Sequence, residues 1–169
     1  MTGYDPSGWG DLLACAGGAA AVLAGLIFVG LSVNMTTLLQ LDKERGQNFL
    51  TGRALEAFVA LLNVLLICVV ALTPHILTGV LAAFILLTAT TSAISPVRAL
   101  RSANREERRS PTLLQRIAFA FSLTLCLLVC GVTLAVGHGG GLLWLPAAFV
   151  IAIVLASVNS WVLLVEVLR

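Results

Sequence analysis

The sequence predicts an all-α integral membrane protein, a five-transmembrane-helix bundle with its N-terminus outside and its C-terminus cytoplasmic. Three observations predict it. The 169 residues are 59% hydrophobic and only 11% charged, where a soluble domain is about 45–50% apolar and about 25% charged. The apolar residues fall in blocks of the length that crosses hydrocarbon, about 20 residues per helix. The basic residues gather on alternate connections between those blocks. One compact bundle, residues 1–169, accounts for the whole length.

The elements follow in order. The opening MTGYDPSGWGD is acidic, with no basic stretch and no small-residue cleavage site, so the first span is expected to stay in the mature chain. That span is placed at 12–33. The second, 54–73, stops at Pro74-His75, because proline lacks a donor and disfavours helix in the residue before it. The third, 76–95, is expected to end at Pro96. The fourth, 113–136, is introduced by Ser110-Pro111, a cap residue followed by a first-turn proline. The glycine-rich run 137–141 forms the next turn, and the fifth span is 142–165.

Charge placement sets the orientation. Lys43, Arg45 and Arg53 flank the first connection, and Arg98, Arg101, Arg105, Arg108, Arg109 and Arg116 flank the third. The second and fourth connections carry no Lys or Arg. The excess of positive charge on the cytoplasmic side puts the N-terminus outside. Tyr4, Trp9 and Trp144 then fall at the outer interface, where amphipathic rings are favoured.

Polar residues inside the apolar blocks are the candidate functional groups. Arg53, Glu56 and Asn63 share one face of the second span. In the fifth span, Asn159 and Glu166 are separated by the same seven residues, about 10 Å, as Glu56 and Asn63. Because the two spans run in opposite directions, the carboxylates are expected at one depth and the amides at another. Asn34 and several Ser and Thr residues cluster at the same ends of the first and third spans. Ionisable groups in a membrane usually face a bundle interior or a water-filled cavity. The set Asn34, Arg53, Glu56, Asn63, Asn159 and Glu166 therefore reads either as an inward-facing cavity or as a polar network joining helices. In the network reading Glu56 pairs with Arg53, and hydroxyls bond their own helix carbonyls.

Other signals are weaker. Gly17, Ala21 and Gly25 recur every four residues, a spacing that lets helix backbones approach closely, within the bundle or against another subunit. Arg98, Arg101, Arg105 and Arg108 form a stripe suited to anionic lipid headgroups, and they equally serve orientation alone. No aromatic platform accompanies them, so nucleic acid is not an expected partner. Cys15, Cys68, Cys126 and Cys130 include no CxxC pair and read as small apolar residues. His75 and His138 lie in turns without a visible third ligand, so no metal or other cofactor is expected. No phosphate loop, nucleophile elbow or zinc-protease motif is present, and enzymatic activity is not expected.

GLIFVGLSVN (25–34) and GRALEA (52–57) resemble segments of a group of small bacterial integral membrane proteins. The resemblance covers roughly the first 75 residues. It implies a multi-pass protein of the bacterial inner (cytoplasmic) membrane, and it supplies no activity and no site residues. Some members carry labels as protease modulators, and that label is not carried over to these residues. Two functional classes follow, the first preferred because polarity recurs at matched depth on several helices. One is a homo-oligomer forming a channel-like or solute-binding cavity open to the cytoplasm. The other is an accessory or regulatory subunit that docks another membrane protein.

Overall fold

A computed structural model describes residues 6–45, 49–102 and 111–167. Every regular element among them is helical. A short 3-10 turn, Pro6–Trp9, leads into α1, Gly10–Arg45. It is followed by α2, Phe49–Ala71, α3, Thr78–Ser102, and α4, Pro111–Val136. A second 3-10 turn, Gly141–Trp144, precedes α5, Leu145–Val167. Four segments are long and apolar enough to cross a membrane: Gly10–Gln40, Thr51–Ala71, Leu114–Val136 and Gly141–Val162. The apolar part of α3, Thr78–Ile94, is shorter.

Two boundaries differ from the sequence-based expectation. α1 runs well past residue 33, because the stretch 34–41 remains apolar enough to continue the helix. Leu38 packs into the bundle, and Asp42, also buried, is tied to the start of α2. α3 does not stop at Pro96 but passes through it to Ser102. The proline removes one backbone bond to the carbonyl four residues earlier. In a packed helix neighbouring groups offset that loss, and Pro96 is buried.

The connections are built as their residues require. After α2, Thr73 Oγ1 donates to the Val69 carbonyl, and His75 turns the chain at φ 57°, in the left-handed region. After α4, Gly137 adopts φ 76°, and its N–H caps the helix on the Thr133 carbonyl. Trp144 Nε1 closes this turn on the Gly139 carbonyl at 3.1 Å.

Helix packing runs α1 on α2, α2 on α5, α5 on α4 and α4 on α3, with α2 also meeting α3. The four helices α2–α5 thus form a closed group, and α1 lies against its outside. Small residues permit the close approaches. Ala57, Ala89, Ala148 and Ala152 are fully buried. A Cβ on Gly131 would sit 2.7 Å from the Leu86 side chain, so α4 crosses α3 there almost backbone to side chain. The periphery carries large apolar side chains such as Phe28, Val33, Phe121, Val150 and Trp161, all exposed. An apolar exterior of this kind is suited to lipid.

Candidate functional site: a polar hub on α2

α2 carries its polar side chains into the bundle and engages a different helix with each. Arg53 Nε donates to Asn159 Oδ1 of α5 at 3.3 Å. Glu56 Oε2 accepts from Arg116 Nε of α4 in a salt bridge. Farther along, Asn63 Nδ2 lies 3.2 Å from Thr91 Oγ1 and 3.1 Å from Ser92 Oγ, both of α3. Arg53, Glu56 and Asn63 are 5%, 6% and 7% exposed, and Asn159 is fully buried. The helix entrance is fixed from α1. Asp42 Oδ2 accepts from the Thr51 backbone N–H at 3.1 Å and from its hydroxyl at 2.6 Å. That carboxylate satisfies one of the N–H groups that a helix start leaves unpaired and sits at the positive end of the helix dipole.

This geometry has a simple chemical meaning. A buried ion pair between Glu56 and Arg116 holds α4 to α2, because either charge alone would sit in a medium that solvates it poorly. The guanidinium of Arg53 does the same for α5 through a neutral amide. Two polar atoms of the cluster, Glu56 Oε1 and Asn159 Nδ2, have no hydrogen-bond partner among the described residues. No group of three or more potential metal ligands occurs among the described residues.

The residues singled out from sequence separate into distinct places. Arg53, Glu56, Asn63 and Asn159 all enter inter-helix contacts, yet not as symmetrical pairs. Asn159 meets Arg53, which lies ten residues, about 15 Å, from Asn63 along α2, so the two amides belong to separate contacts. Asn34 bonds its own helix, donating to the Gly30 carbonyl at 2.9 Å. Thr88, Thr91, Ser157 and Ser160 likewise donate to carbonyls three or four residues back. Of the small residues, Gly17 alone is packed, its Cβ position 3.0 Å from Cys68 Cβ, whereas Ala21 and Gly25 face outward. The side chains of Arg98, Arg101 and Glu166 lie outside the described part, as do Tyr4, Arg105 and Arg108 entirely.

Sequence reasoning missed Arg116 as the partner of Glu56, having grouped it with the orientation charges. The signal was present. Arg116 stands inside an apolar helix, and a cation there requires a partner. Asp42 was missed for another reason, since a carboxylate at the end of one helix gives no hint that it caps the next.

A separate feature lies between α1 and α5. A half-open groove of about 340 Å³ is lined by apolar residues of both helices and by Leu61 of α2, with Asn34, Ser157 and Ser160 at one end. None of the hub residues on α2 lines it.

Fold and site together define an all-helical bundle with four segments long and apolar enough to cross a membrane, held internally by buried polar contacts. No family model, no curated protein and no solved structure matches the chain.

Proposed function

We propose that the protein is a five-span, non-enzymatic subunit of the bacterial inner membrane that docks another transmembrane helix through α1. The observation that carries this reading is the closure of the α2 hub. Arg53, Glu56 and Asn63 are each engaged by a different helix of the same chain, which favours a rigid bundle over an open passage. The outer flank of α1 is then the surface left for association. Ala14, Gly18, Ala21 and Gly25 are all exposed on it, and small residues at such spacing admit a second backbone. The resemblance of residues 25–34 and 52–57 to small bacterial membrane proteins supports the choice of membrane.

Cys15, exposed beside this stripe, is a native reporter. Oxidation in intact membranes is expected to give a Cys15-linked dimer, or a cross-link to a second membrane protein. Gly18→Leu with Gly25→Leu abolishes whichever product forms. Persistence of the product in that double variant would remove α1 as the docking face.

The conduit reading has one observation in its favour. Glu56 Oε1 and Asn159 Nδ2 are buried without partners among the described residues, and a hydrated passage would satisfy both. Cation flux from purified protein in liposomes, lowered by Glu56→Gln and more so at low salt, would move the assignment to a channel. The subunit reading expects no flux.

Orientation belongs to the same proposal. A cysteine introduced by Gly140→Cys is expected to react with an impermeant reagent from outside, and one from Ser102→Cys is not. The reverse pattern would invert the bundle. The basic stripe Arg98, Arg101, Arg105 and Arg108 then meets anionic headgroups of the inner leaflet.

A further inference from the structure

The groove between α1 and α5 is on the opposite flank of α1 from the small-residue stripe and takes no part in the docking reading. Its walls are Leu23, Ile27, Leu31 and Leu38 of α1, Leu61 of α2 and Ala156 of α5. Gly30 opens it. Nothing lies within 4 Å of where a Gly30 Cβ would stand, and the missing side chain leaves a gap along the wall.

Width decides what fits. From Leu23 to Leu38 the groove extends about 22 Å at 1.5 Å per residue. The free space of about 340 Å³ along that wall is narrow and half-open, of the gauge of a single extended hydrocarbon chain lying in it. Length and polarity agree with this. From Asn34, at the polar end, back to Leu23 is about 16 Å, close to the hydrocarbon depth of one leaflet, about half of 30 Å.

The polar end is suited to the ester and glycerol region of a lipid. Asn34 donates one N–H to the Gly30 carbonyl, which leaves its carbonyl oxygen and its second N–H. Ser157 and Ser160 donate their hydroxyl protons to Ile153 and Ala156 at 2.8 Å each, so both oxygens remain as acceptors.

We propose that this groove is a binding site for one acyl chain of a diacyl phospholipid, its glycerol region held by Asn34, Ser157 and Ser160. The lipid belongs to the leaflet on the side where α1 ends.

The test uses the full chain reconstituted in vesicles of phosphatidylglycerol and phosphatidylethanolamine, extracted gently and weighed intact by native mass spectrometry. Wild type is expected to retain a single phospholipid. Gly30→Leu places a side chain in the gap, since nothing stands within 4 Å of the Cβ position, and is expected to abolish retention of the lipid. Val29→Leu, off the groove, retains lipid as wild type does. Ser160→Leu provides a second route, acting at the polar end, should Gly30→Leu fail to insert. Retention equal to wild type in either groove variant overturns the proposal, as does loss of lipid in Val29→Leu alone.

Discussion

α1 and α2 are both long enough and apolar enough to cross a bilayer, yet 22% of the apolar window of α1 is buried in the bundle against 56% of that of α2. Hydrophobicity does not separate them. What separates them is that α2 carries Arg53, Glu56 and Asn63 on one face, whereas α1 has no charged residue between Asp11 and Asp42. In lipid an apolar side chain gains little by leaving hydrocarbon for protein, because the tails are as apolar as leucine. A polar side chain gains a great deal, because hydrocarbon offers it nothing. The few polar groups therefore rank the helices, and the helix that carries them becomes the hub.

The most direct way to break this comparison is to unpair the hub. Arg116→Leu leaves the Glu56 carboxylate buried and without its cation, which is expected to cost about 3–5 kcal/mol. Unfolding in mixed micelles measures it. The double variant Glu56→Leu with Arg116→Leu removes both charges, and should regain most of that loss, since an apolar pair of similar volume is often neutral. If the double variant is as unstable as the single one, shape and not charge holds α4 to α2.

The contact between the two helices offers a smaller test. Gly17→Leu forces atoms into the space held by Cys68, at a cost of about 1–3 kcal/mol for an overpacked site. Gly25 is exposed and nothing stands within 4 Å of its Cβ position, so the isolated Gly25→Leu protein should melt as wild type does. Equal destabilisation by the two would mean that α1 is seated on a different face. The sharpest separation would be a Gly25→Leu protein of normal stability that has lost its cross-linked partner.

Asp42 sharpens the comparison at the join between the two helices. Asp42→Ala removes the acceptor for the Thr51 N–H and hydroxyl. Loss of a helix cap costs typically about 1 kcal/mol. Amide exchange in the first turn of α2 should accelerate while the deep part of the helix stays protected. Uniform acceleration would show that the latch holds the whole α1–α2 pair and not the helix end alone.

Much of the architecture was legible in the sequence, because apolar length is a direct imprint of bilayer thickness. Four of the five spans, the tight turn at Pro74-His75 and the glycine-rich turn after Val136 could be read from local chemistry, whereas the apolar part of α3 is shorter than a full span. The end of α3 could not. Pro96 looks like a stop in isolation, and only packing lets the helix run through it. The polar stripe of α2 was also legible as a set sharing one face. Its partners were not, since seven-residue spacing fixes depth along a helix and says nothing of which neighbour stands opposite. Hence Asn159 was expected level with Asn63 and instead meets Arg53. The small residues of α1 divide between two faces. A four-residue repeat drifts around a helix of 3.6 residues per turn, so Gly17 points into the bundle while Gly25 points away.

The mildest perturbation is Asn63→Leu, and its small size is informative. Asn63 makes two neutral contacts with α3, and inter-helix hydrogen bonds in a membrane average only about 0.6 kcal/mol. Leucine is also well accommodated by an apolar interior, which offsets part of the loss. The expected change in stability is thus below about 1 kcal/mol, far less than at Arg116. The consequence for Thr91 and Ser92 is equally modest, since Thr91 keeps its bond to the Thr88 carbonyl. Accessibility makes the same residue a discriminator. In a closed hub Asn63→Cys is shielded from a water-soluble thiol reagent on either side of the membrane. Rapid labelling of that cysteine from the side where α2 begins would mean that water reaches past Arg53 and Glu56. The closed hub would then give way to a hydrated cavity, and α2 would line a passage instead of sealing it.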